Sequence, residues 1–263
     1  MLGKLMKYEF RATGQSMLPL LAFVLVAALG VNIMERITQH SESDAVGFLA
    51  GLLMFVFIMA IVVLSVMAVF IMAQRFYRNF LTDEGYLMFT LPASVHSLLW
   101  SKIFVSSIWF AAVGAADVLA VLIASFQVSN VSRFISSLTD MFKSLTAQYA
   151  LNGAAFIAES IVVIFLACAV TCLMFYAAMA VGFSFPRHKW FMSVLFFFIF
   201  TIALQICGFG GMFTWVNVGG GPAMSALTMM HTTMGVAMGI EALLGAVFYV
   251  LTALMLKKSL NLE

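Results

Sequence analysis

Charge is scarce in this chain. Asp, Glu, Lys and Arg make up 9% of its 263 residues, where a soluble domain carries roughly 25%. A water-soluble globule of this size is thereby excluded, because the polar shell needed to cover its apolar surface is missing. The net formal charge of +2 is too small for nucleic acid to be a partner, and there is no basic tail to hold one. Cysteine is almost absent too. Cys168, Cys172 and Cys207 give no disulfide framework and lack the neighbouring ligands of a metal site, so they read as small buried hydrophobes. There is also no Gly-x-x-x-x-Gly-Lys-Ser/Thr run to cradle ATP, no His-Glu-x-x-His pair and no Gly-x-Ser-x-Gly elbow. Catalytic residues are therefore not expected.

Hydrophobic residues fill 64% of the chain, and lipid is the solvent that suits them. A spanning helix needs about 20 mostly apolar residues. The expected fold is an all-α polytopic bundle with spans at 17–34, 47–74, 103–126, 153–185, 191–207 and 234–256. The second and fourth exceed the bilayer thickness and should tilt or project. Residues 17–32 are read as a span, not a cleaved leader, because no small-residue cleavage site follows.

Cations orient the bundle. Lys4, Lys7, Arg11, Arg75, Arg78, Lys102, Arg187, Lys189, Lys257 and Lys258 flank the spans on one side. Arg36, Arg133 and Lys143 lie on the other, completing the 13 basic residues. Both termini are expected in the cytoplasm, with the chain in a cell membrane of bacterial type.

Three connecting segments carry their own patterns. Leu2, Leu5, Met6 and Phe10 alternate with Lys4, Lys7 and Arg11, as in a short amphipathic helix (2–11) lying in the interface. Pro19 follows early in the first span, where proline costs least. Residues 131–149 predict an external amphipathic helix, with Phe134, Ile135, Leu138 and Phe142 on one face. Residues 208–231, apolar but broken by six glycines and Pro222, predict a re-entrant pair of short helices. His231 within them reads as a hydrogen-bonded polar residue before a pH sensor.

Asp117, Glu159 and Glu241 fall inside the apolar runs. An ionised group at the centre of a span costs at least ~2.5–3.5 kcal/mol, so such acids face a partner, a cavity or a transport path. No Lys or Arg lies at matching depth. Small residues before Asp117 (Ala111 to Ala116) and around Glu241 (Gly235, Gly239, Gly245) suggest close helix packing. Hydrogen bonding across a helix interface is the plainer reading. An ion-coupled secondary transporter using these three acids is the alternative, although the internal repeat common in such carriers is not evident.

The connection between the second and third spans is dense in aromatic and charged groups. Arg75, Phe76, Tyr77, Arg78, Phe80, Asp83, Glu84, Gly85 and Tyr86 fall within twelve positions. Its aromatics are suited to seating in a partner's pocket, with the charges fixing register. A snorkelling interfacial helix would use the same residue types. The run Asp83-Glu84-Gly85-Tyr86-Leu87-Met88-Phe89-Thr90-Leu91-Pro92, with Tyr77-Arg78 before it and Leu99-x-x-Lys102 after it, resembles permease subunits of bacterial ATP-binding-cassette exporters of the six-span type-2 group. Lys4-Leu5-x-Lys7-Tyr8-Glu9-Phe10 and Lys257-Lys258-x-Leu260-Asn261-Leu262 resemble that family's ends.

The resemblance implies that residues 75–93 form a coupling helix docked on a separate ATPase subunit. ATP and Mg would be bound by that partner and no cofactor by this chain. Two ATPases would serve two permeases, as a homodimer or a heterodimer. The Phe- and Met-rich spans suit an amphipathic or hydrophobic cargo such as a peptide, an antimicrobial or a lipid, but contact with membrane lipid demands the same residues.

Overall fold

The computed structural model describes residues 2–40, 43–82, 85, 94–125, 135–137, 139, 140, 143, 153–219 and 226–259. The described residues contain no strand. The described residues form six long helices: α1 (Leu2–Gln39), α2 (Asp44–Phe80), α3 (Val95–Ala124), α4 (Gly153–Phe183), α5 (Lys189–Thr214) and α6 (Ala226–Ser259). All six are long and apolar enough to cross a membrane. A backbone in lipid must satisfy its own N–H and C=O groups, and a continuous helix does so without water.

The helices outrun the apolar segments that seed them. Backbone hydrogen bonding continues where hydropathy falls, so α2 runs through Arg75 to Phe80 and α5 through Thr214. Residues 2–11 are not a separate interfacial helix but the first turns of the continuous α1. No breaker stronger than Gly14 lies between them and the span, and one interior glycine costs only about 1 kcal/mol. Pro19 accordingly sits in the interior of α1, not in its first turn. It leaves the Gln15 carbonyl without its usual amide, a loss that spanning helices tolerate.

Between the last two spans, α5 ends in one wide turn at Trp215–Gly219, and α6 begins at Ala226. The described parts of 208–231 thus extend the spans themselves, and the expected re-entrant pair is not seen in them. Of the segment 131–149, residues 135–137, 139, 140 and 143 are helical and the others lie outside the described residues.

Contacts group the chain into two compact units. One holds residues 8–71 and 109–143. In it the buried Trp109 indole N–H donates to Thr13 Oγ1 at 2.8 Å, and the Asn32 amide approaches the Ala124 carbonyl at 3.4 Å. Both contacts advance in the same direction along α1 and α3, so these helices are parallel. The Trp109 ring fits against Gly14, whose missing side chain leaves it room.

The other unit holds residues 1–7, 72–108 and 144–263. Here α4 packs on α5 and α6. Glu159 meets His231 and Val170 meets Gly245, so α4 and α6 are parallel. Gly182 meets Ser193 while Met174 meets Thr201, so α5 runs back antiparallel to α4. Such an alternation is what successive membrane crossings produce.

Candidate functional site

Two regions hold the residues that sequence singled out. The first is the end of α2. Phe76 is fully buried and stacks on Tyr176 of α4, with centroids 4.2 Å apart and planes within 8°. Its other neighbour is Phe80, at 5.1 Å and equally buried. Tyr176 in turn shares a 2.6 Å hydrogen bond with Ser106 of α3. Tyr77 fits between Phe183 and Trp190, with centroids at 5.0 and 4.9 Å. Lys102 is buried to 3% exposure, and its ammonium lies 5.6 Å from the Phe80 ring centre, within the range of a cation–π contact.

Phe76 and Phe80, both fully buried, therefore have no surface left to seat in a partner's pocket, whereas Tyr77 remains partly exposed. All three pack inside the chain, fixing the end of α2 to α3, α4 and α5. A sequence signal for this exists. Leu64, Ala68, Met72, Phe76 and Phe80 recur every fourth residue, and all five are buried. The two phenylalanines thus continue the inward stripe of the span.

Arg78 is left exposed and Arg75 partly so. Beyond Phe80 the chain turns, with the Gly85 N–H donating to the Thr82 carbonyl at 2.8 Å. A β-carbon on Gly85 would stand 3.0 Å from the Phe80 carbonyl oxygen, tighter than ordinary contact. Asp83, Glu84 and Tyr86 lie outside the described residues.

The second region is the set of acids within the spans, each of which has different surroundings. Asp117 accepts a 3.3 Å hydrogen bond from Ser65 of α2 on one carboxylate oxygen, while its buried Oδ1 has no partner among the described residues. The small residues before it do not all serve packing, for Gly114 faces open space.

Glu159 is paired. Nδ1 of His231 lies 2.8 and 2.9 Å from its two oxygens, across α4 and α6, and both side chains are about 30% exposed. The partner of this acid is a histidine 72 positions away, not a Lys or Arg at matching depth. The pair bears out the hydrogen-bonded reading of His231.

Glu241 is different. Its Oε2 is buried with no partner among the described residues. It lines a cavity of about 440 Å³ whose wall is otherwise apolar and aromatic, including Trp100, Phe104, Phe165 and Tyr249. A smaller cavity of about 230 Å³, bounded by Gln205 and Met212 of α5, is also lined by Glu241. Of the glycines on this helix, Gly245 packs closely on Val170, whereas Gly235 and Gly239 face open space.

All three cysteines are free thiols, and no cluster of three or more His, Cys, Asp or Glu suited to a metal occurs among the described residues. No protein-family model matches this chain, and no curated protein or solved structure is significantly similar to it.

Proposed function

We propose that this chain is the membrane-embedded permease subunit of an ATP-driven exporter, moved by a separate ATPase. What carries the reading is the join between two features. The run from Asp83 to Pro92 resembles the family's coupling segment, and it follows directly on a helix end locked by Phe76, Tyr77 and Phe80. A push on such a segment is passed to α3, α4 and α5, because the aromatic packing between them is close and does not yield gradually.

In this reading Arg75, Arg78, Asp83, Glu84 and Tyr86 meet the ATPase, and Gly85 shapes the turn that presents them. The ATPase works only through contacts that differ between its states, and that segment supplies them. Both termini lie in the cytoplasm of a cell with a bacterial-type membrane, as the distribution of Lys and Arg supports. The first turns of α1 reach the cytoplasmic interface with Lys4, Lys7 and Arg11 near anionic headgroups. Two permeases and two ATPases complete the transporter. The cargo is hydrophobic or amphipathic.

The test is affinity purification of the full chain from its own host, followed by reconstitution with the ATPase that accompanies it. Export should need hydrolysable ATP and survive a protonophore. Substituting Glu84→Ala or Tyr86→Ala should leave the chain in the membrane but uncouple ATP hydrolysis from transport. Transport that stops with the protonophore and ignores ATP would replace this reading with the ion-coupled carrier.

A further inference from the structure

The cavity beside Glu241 is the least explained feature of the molecule. Its volume of about 440 Å³ falls in the range of small-molecule sites. Its wall comes from α3, α4 and α6, all within one compact unit. Trp100, Phe104, Phe165 and Tyr249 supply aromatic surface, and Glu241 is the only charged residue lining it among the described residues. The Oε2 atom of that residue is buried and accepts no hydrogen bond from the described residues. A buried acceptor without a donor is destabilising, and more so when charged. Something must offset that cost.

We infer that this cavity is a binding site for a lipophilic organic cation, a monovalent ion with aromatic or aliphatic bulk around its charge. Each wall component has a role in holding such a ligand. The carboxylate neutralises the charge without needing an N–H donor, and the aromatic faces attract the cation through their π clouds. The apolar remainder accepts the ligand's bulk.

Other occupants fit less well. A lipid acyl chain would fill the volume but leave Oε2 unsatisfied. An anionic amphiphile would be repelled by the Glu241 carboxylate. A polar peptide would find no partners on a wall with so few polar groups. The assignment concerns binding alone. It stands whether transport is driven by ATP or by ions.

The experiment is equilibrium binding of radiolabelled tetraphenylphosphonium to the purified full-length chain in neutral detergent, corrected for empty micelles. Saturable binding is expected in the wild type. Glu241→Gln removes the charge at nearly constant shape and should weaken binding at least tenfold. Ala169→Phe fills the cavity while keeping the carboxylate and should abolish it. Radiolabelled tetraphenylborate, of the same shape and opposite charge and assayed alone, should show no saturable binding. The site is refuted by absence of saturable binding, by unchanged affinity in E241Q, or by saturable binding of tetraphenylborate with equal affinity. The last comparison uses only the wild-type chain, so it decides the matter even where a variant fails to fold.

Discussion

Gly182 of α4 and Ser193 of α5 meet backbone against backbone, with no room for a β-carbon on the glycine. The atoms in the way include the Ser193 nitrogen and Cα, so no rotamer change can clear them. Elsewhere in a helix Gly→Ala stabilises by roughly 0.5–1 kcal/mol, because the unfolded chain has less freedom to lose. Here the sign should reverse. Gly182→Ala is expected to cost about 1–3 kcal/mol as α4 and α5 are forced apart. Gly239→Ala, where nothing lies within 4 Å, is the control. Thermal unfolding in detergent should put G182A several degrees below wild type and G239A at or above it. Equal melting of the two variants would show that the helices do not meet at this point.

How far the sequence foretold the molecule depended on what sets each feature. The number of spans was legible because hydropathy over twenty residues is a local property. Helix ends were not. Hydropathy drops at Arg75, but the helix continues to Phe80 because Phe76 and Phe80 find burial against other helices. The same residues illustrate a wrong inference about surroundings. Aromatic residues near charges looked like anchors for a partner, yet their four-residue spacing from Leu64 already marked them as inward. Pairing was the least legible. Nothing local to Glu159 points to His231, since only the packing of α4 on α6 brings them together.

The buried phenylalanines separate folding from coupling. Phe76→Ala should cost about 3–5 kcal/mol, since it removes a fully buried ring stacked on Tyr176. Little folded protein should survive purification. Arg78→Ala, on the exposed side of the same helix end, should change stability by no more than about 0.5 kcal/mol. If an ATPase docks there, R78A should instead lower ATPase-dependent export several-fold. Size-exclusion profiles and transport assays on both variants make the comparison. A well-folded F76A would mean that the clamp contributes nothing.

Within the unit that contains α1, the link from Trp109 to Thr13 is a buried hydrogen bond of 2.8 Å. Thr13→Val keeps the shape but leaves the indole N–H without an acceptor, which costs about 1–3 kcal/mol. Trp109→Phe also removes the donor, and the double variant should recover part of the loss. Melting temperatures for the two singles and the double give the coupling directly. Additive losses would argue against the bond.

The Glu159–His231 pair allows a sharper comparison, because structural and transport roles predict different patterns. As a structural tie between α4 and α6, each residue matters through the other. Glu159→Gln and His231→Gln should then each lower the melting temperature. The double variant should lose less than the sum, with a coupling of about 1 kcal/mol for a partly exposed hydrogen-bonded contact. Transport should fall only as far as folded protein does. An ion path through Glu159 makes the opposite claim: E159Q would abolish transport in protein that melts like wild type, and H231Q would not. The two side chains are only about 30% exposed and held within 2.9 Å, so the tie is the expected result. Additive melting losses together with a transport defect confined to E159Q would reassign this acid from the frame to the pathway.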